Sequence, residues 1–280
     1  MFAPGRTFAT IVFAVLAFGV ASASNNDHDP RSLTQSERAT LYPLVCRNAT
    51  AAENGHRCSA LVGYRGAPAV QDFDLAAIAY GSFTAPGVDQ AYVTYSTMHE
   101  PHANNFGGGI LFEHLGASWR LVRWYPGGQM DRCVAIPGGA RQRMLCLWGF
   151  LQEGELQTEL HVLSVPSSND DRARANAAHV LLSVDDTRDE APFLLPDPQQ
   201  CGKPSDHKTS IVEVEAPKRF TRPPFFAHSA ATYVTGREWY DACKTRGWST
   251  VKGHPTTIRF AVENGVVTFV SPIAIASPRS

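Results

Sequence analysis

The stretches LAAIAYGSF (75–83), QAYVTYST (90–97), ILFEHL (110–115) and WRLVRWY (119–125) decide the fold of this 280-residue chain. Their apolar residues recur mostly at every second position, the period of a half-buried β-strand and not of a helix. Glycine and polar turns separate them, so the region reads as four antiparallel strands. The last two form the clearest hairpin. A turn at Gly116-Ala117 pairs Phe112 with Leu121 and His114 with Trp119 on one face, and Glu113 with Arg120 on the other. Four strands in about 50 residues is the content of one four-stranded sheet or propeller blade.

The pattern repeats downstream. Strands are expected over 132–136, 143–151 and 156–165, joined by glycine or proline, then over 180–184 and 211–214. At the C-terminal end, 257–263 and 266–272 flank Asn264-Gly265. An Asn-Gly type I′ turn there pairs Phe260 with Phe269 and Val262 with Val267. Two short helices break the pattern. Thr34-Gln35-Ser36-Glu37 and Thr235-Gly236-Arg237-Glu238 both fit a capping box. The first helix should run toward Leu41 before Pro43, as a lid or strap. The second carries Trp239 and Cys243 four residues apart on one face and should end at Gly247.

At the N-terminus, Arg6 precedes an uncharged apolar run from Phe8 to Val20 and then Ala21-Ser22-Ala23. This is the layout of a secretory signal peptide, with cleavage expected after Ala23. The organisation expected is a signal peptide at 1–23, a disulfide-bonded segment at 24–69 and an all-β domain at 70–280. A sub-boundary near 196–205 is marked by Pro196-Asp197-Pro198 and by lysines, which occur only from Lys203 onward. No membrane span is expected once the signal is removed.

Six cysteines in an exported chain point to disulfides, and sequence alone allows 15 pairings. Cys133 and Cys146 face each other across a hairpin centred between Gly139 and Ala140, within bonding reach. Cys46 and Cys58 bracket a polar loop of similar length, which leaves Cys201 for Cys243. None shows the C-x2-4-C spacing of a zinc site. The formal net charge is −1 and no run of like charges appears, so nucleic acid is not an expected partner. Asn48-Ala49-Thr50 is a formal glycosylation sequon.

The turn Gly81-Ser82-Phe83-Thr84-Ala85-Pro86-Gly87-Val88-Asp89-Gln90, leading into Ala91-Tyr92-Val93, is similar to the turn of FG-GAP or VCBS-type repeats. These build integrin-α-like β-propellers. In that family a G-D-F-N-G-D-G turn joins the first two strands of a blade, and its acidic side chains usually bind calcium. Gly81, Phe83 and Gly87 match. Ser82, Thr84 and Pro86 stand where the family has oxygen-rich ligands, and Gln90 stands where the closing aspartate falls. Calcium needs six to eight oxygens with several carboxylates, so none is expected here. The fold expected is mainly β, a short or degenerate β-propeller of antiparallel sheets with a few short helices. A β-sandwich is the alternative.

Chemistry is sparser. His99-Glu100-Pro101-His102, in the loop between two central strands, could ligate a transition metal through His99, Glu100 and His102. The spacing is not H-E-x-x-H, and the proline excludes that motif's helix. Phe106-Gly107-Gly108-Gly109 precedes a strand and reads as a flexible hinge. Asp72 and Asp74 fall on the solvent face. No G-x-S-x-G elbow or Walker loop is present. Trp119, Trp124, Tyr125 and Trp148 lie on strands; Trp124, Tyr125 and Trp148 are the aromatic candidates for binding a protein or carbohydrate ligand. Three readings stand: a non-catalytic secreted or periplasmic binding protein, a metal-dependent hydrolase using the His99/Glu100/His102 loop, and a structural envelope component. A bound transition metal would mark the second, since no cofactor is expected for the other two.

Overall fold

Alternating apolar residues make ribbons that must bury at least one face, and this chain buries them by stacking sheet on sheet. The computed structural model describes residues 30–52, 55–64, 70–96, 107–126, 132–152, 155–166, 178–186, 198–247, 251–263 and 266–273. The expected signal peptide, the Asn264-Gly265 turn and the His99/Glu100/His102 loop lie outside the described residues.

The chain enters through β1 (Arg31–Ser32) and α1 (Gln35–Val45). Two short ribbons follow, formed by β2 (Cys46–Arg47), β3 (Thr50–Ala52), β4 (Gly55–Cys58) and β5 (Ala60–Leu61). Next comes the meander β6 (Val70–Gly81), β7 (Gln90–Ser96), β8 (Gly107–Leu115) and β9 (Ser118–Pro126). Its hydrogen-bonded order is β3-β4-β6-β7-β8-β9, with β1 also on β6. The N-terminal segment thus shares a sheet with the residues beyond 70. The hairpin register is as expected, with Phe112 opposite Leu121, Glu113 opposite Arg120 and His114 opposite Trp119.

A second four-stranded meander consists of β10 (Cys133–Ile136), β11 (Arg143–Gln152), β12 (Glu155–Leu163) and β13 (Ala178–Asp186). A third consists of β14 (Ser210–Val214), β15 (Phe226–Val234), β16 (His254–Glu263) and β17 (Val266–Val270), with α2 (Gly236–Thr245) between β15 and β16. All pairings are antiparallel. The protein is mainly β, as expected, built as a stack of antiparallel sheets.

Three cores separate the layers. The first packs α1 and the N-terminal ribbons on the first sheet, with Leu41, Tyr42 and Val45 against Phe73, Tyr95 and Trp124. The second lies between the first and second sheets, with Ala79, Tyr92, Leu111 and Tyr125 facing Met144, Cys146 and Leu163. The third lies between the second and third, with Leu145, Leu147, Leu160 and Val162 against Ile211, Ile258 and Phe260. Strand β11 therefore turns Met144 and Cys146 one way and Leu145 and Leu147 the other. A strand buried on both faces reads as a continuous apolar run, and MLCL at 144–147 is one.

Disulfides join Cys46 to Cys58, Cys133 to Cys146 and Cys201 to Cys243, with Cα atoms 5.2, 4.0 and 5.9 Å apart. Cys133 lies directly opposite Cys146 in the β10–β11 register. Each closed loop removes chain entropy from the unfolded state, roughly 3 kcal/mol apiece on that account. Both capping boxes form, Thr34 with Glu37 and Thr235 with Glu238. Helix α1 runs past Pro43 to Val45, because the turn after the proline places Val45 in the core with no exposure. At the end of α2 the left-handed residue is Arg246, at φ 50°, with Gly247 following it.

Two expectations need correction. The glycines at 107–109 are not a hinge but the first buried residues of β8, paired with Ser96, Tyr95 and Thr94. A Cβ at Gly109 would overlap the hydroxyl and ring of Tyr92, so the glycine makes room for a buried aromatic. Asp74 is not simply solvated: its Oδ1 accepts from the Arg38 guanidinium and from the Tyr42 hydroxyl, each at 2.6 Å. It ties α1 to β6. Gly109→Ala should therefore lower stability by about 2–4 kcal/mol, measured by denaturant unfolding. A cost below about 0.5 kcal/mol would mean that the Tyr92 ring does not lie over this backbone.

Candidate functional site

The turn at 82–89 joins β6 to β7. Gln90 at its close is almost wholly buried, and its Oε1 accepts from the backbone N–H groups of Phe83 and Thr84, both at 3.0 Å. Its Nε2 donates to the Thr84 hydroxyl at 2.7 Å. A neutral amide thus organises the loop. The loop also docks on the second sheet, where the Gln142 N–H donates to the Ser82 carbonyl at 2.9 Å.

Of the aromatics expected to meet a ligand, two point inward. Trp124 is 8% exposed and donates through Nε1 to the Val62 carbonyl at 2.8 Å. Tyr125 is 2% exposed and donates to the Pro166 carbonyl at 3.1 Å. Both complete cores on opposite faces of the first sheet, because successive side chains of one strand point to opposite faces. Trp148 stays partly exposed on β11. His99, Glu100 and His102 lie outside the described residues; among those described, no group of three His, Cys, Asp or Glu side chains is placed to hold a metal.

The structure instead assembles a partly exposed row beside the first turn of α1. The Arg31 guanidinium lies 5.7 Å from the Tyr80 ring centre, and Tyr80 lies 5.9 Å from Trp119. Trp119 stacks at 4.7 Å, tilted 37°, against His114. His114 Nδ1 is 3.1 Å from Asp89 Oδ2, and a backbone bond from the His114 N–H to the Asp89 carbonyl fixes that contact. Strand pairing explains the convergence. Tyr80 is opposite the small Ala91 on β7, which leaves space for Trp119 to approach from β9, and Trp119 is opposite His114 across the hairpin. The His114–Trp119 pair was legible as hairpin packing; Tyr80, Arg31 and Asp89 reach it from separate segments.

Glu37 organises one end of the row. Its carboxylate accepts from Arg31 (2.9 Å), from the Tyr80 hydroxyl and from the Thr34 N–H (2.7 Å). The Arg31 hydrogen bond is the largest influence, and with Tyr80 and Thr34 it outweighs partial burial and holds the Glu37 carboxyl at about 2. Burial, then the bond to Glu37, pushes the Tyr80 hydroxyl above its ordinary range. Glu37 is therefore an anionic anchor at neutral pH, and Tyr80 stays protonated. Nothing in this set pairs a nucleophile with a base. A half-exposed aromatic row with a cation at one end and a carboxylate–imidazole pair at the other is suited to holding a ligand.

Elsewhere, His161 on β12 lies opposite Cys146, between the first and second sheets. It is 4% exposed, its Nδ1 has no partner, and burial lowers its pKa to about 4. It is a neutral core imidazole in the folded protein. Neither a family model, nor a curated protein, nor a solved structure matches the chain.

These two groups contribute to the acid response. The folded pKa of His161 lies below its ordinary 6.5, so between the two values the unfolded chain binds the extra proton. Its contribution is complete above about pH 6.5 and is lost as pH falls toward 4, by roughly 2–3 kcal/mol. The Glu37 contribution is lost in a lower window, from its ordinary 4.5 toward 2. Equilibrium unfolding of the wild type, His161→Leu and Glu37→Gln should show the upper leg missing in the first variant and the lower leg flattened in the second. A wild-type stability that is flat between pH 6.5 and 4 contradicts the buried imidazole.

Proposed function

We propose that this chain is a secreted or periplasmic, disulfide-bonded β-rich protein that binds a protein or carbohydrate ligand and catalyses no reaction. The observation that carries the reading is the row Arg31, Tyr80, Trp119, His114 and Asp89. Rings, a cation and a carboxylate there share one accessible end of a rigid sheet. Sugar rings and peptide side chains are held this way, with apolar faces stacked on aromatics and hydroxyls or amides bonded to the polar rim. The compartment is supported by the three disulfides, which persist in oxidising surroundings, and by the signal-like sequence at 1–23. Among the described residues no helix is long and apolar enough to cross a membrane.

The stacked four-stranded meanders and the turn at 81–93 support a degenerate relative of the FG-GAP repeats. In this reading the Gln90 amide takes over the loop-organising task that calcium has in that family, and the ligand is bound without a metal.

Mature oxidised protein applied to glycan and peptide arrays provides the test, with Trp119→Ala and His99→Ala/His102→Ala as variants. Ligands retained by the wild type should bind at least about tenfold more weakly to the Trp119 variant, with its circular dichroism unchanged. The histidine variant should bind as the wild type does. Binding that survives loss of Trp119, or that vanishes with the two histidines, contradicts the assignment.

A further inference from the structure

Strand β17 closes the third sheet, and among the described residues it pairs only with β16. Its sequence, VVTFV, is uncharged. Val267 and Phe269 turn inward, with Phe269 5.9 Å from Phe260 in the core. Val266 and Val270 turn outward and are 60% and 43% exposed, two of the four exposed large apolar residues described. Native sheets protect such edges with charges or proline inside the strand. The edge strand β9 of the first sheet carries Arg120 and Arg123 and ends at Pro126. Nothing of the kind interrupts β17; proline comes only after it, at Pro272.

We propose that β17 is a homodimerisation edge, where a second copy of this chain adds its own β17 antiparallel about a two-fold axis through Thr268. The strand is self-complementary in that register. Val266 and Val270 sit symmetrically two residues either side of Thr268, on one face. The axis therefore places each Val266 against the partner's Val270, and two exposed valine pairs close together. The neighbouring strand adds charge complementarity. Glu263 is beside Val266 and Arg259 is beside Val270. Across the dimer the row reads Glu263, Val266, the partner's Val270, the partner's Arg259, so opposite charges end each row and no like charges meet. Main-chain hydrogen bonds along the edge supply affinity, and the valine register supplies specificity, as in strand addition generally. An isologous contact of this kind closes at two copies and leaves no free β17 edge for further growth.

The test is sedimentation equilibrium of the mature oxidised chain. A five-residue ribbon is a small interface, so the dimer should appear only at high concentration, about 10–200 µM. Val266→Lys and Val270→Glu should each weaken association at least about tenfold by leaving a charge against a valine. The double variant Val266→Lys/Val270→Glu should regain dimerisation in low salt and lose it in high salt. Only the register through Thr268 sets the introduced lysine against the introduced glutamate. A wild type that is monomeric throughout, whether another segment or another partner covers the edge, overturns the proposal. So does a dimer indifferent to both single substitutions, or a double variant without rescue.

Discussion

Strand β11 must bury side chains on both faces, and that requirement organises everything around it. Met144 and Cys146 lie between the first and second sheets, while Leu145 and Leu147 lie between the second and third. Four consecutive apolar residues in an extended strand cannot be satisfied by one partner layer. At roughly 25 cal/mol per Å² of apolar surface, leaving either face wet would cost several kcal/mol. The second meander therefore needs a layer on each side, and the first and third meanders are those layers. The disulfide between Cys133 and Cys146 locks β10 to β11 inside this sandwich.

The outer face of the first sheet is covered differently. Helix α1 lies across it, placed by its capping box, by the buried Leu41, Tyr42 and Val45, and by the Arg38 and Tyr42 bonds to Asp74. The helix is short and covers only part of the face. The Glu37 carboxylate at its first turn gathers Arg31 and Tyr80 beside the open part. The candidate ligand row is anchored where this eleven-residue strap begins, at the Glu37 carboxylate. The same interactions that hold the strap in place orient the row's first two members.

Much of this was legible in the sequence. Period-two alternation located most strands, hairpin arithmetic set the pairing of Phe112 with Leu121 and of Phe260 with Phe269, and local spacing paired four cysteines and left Cys201 for Cys243. What was missed depends on contacts between distant segments. Strand β15 buries Ala227, Ser229 and Ala231, small residues that carry little strand signal, yet it joins β14 to β16. The glycines of β8 looked like a hinge because Tyr92, the reason for Gly109, sits on another strand. Trp124 and Tyr125 could be assigned to strands but not to depth, since the layers that cover them come from residues 45–62 and 144–165. The row beside Trp119 was invisible for the same reason, being assembled from β1, α1, β6, the turn after β6, β8 and β9.

Native-state hydrogen exchange, read amide by amide on the oxidised protein, tests the stacked arrangement most directly. If the second meander is the middle layer, the amides of Leu145–Leu147 and Leu160–Val162 should exchange as slowly as those of β7 and β8, at the free energy of global unfolding. The third meander, whose strands alternate buried and exposed residues, should open at lower cost. Middle-strand amides that exchange faster than those of β15 and β16 would contradict a sheet buried on both faces.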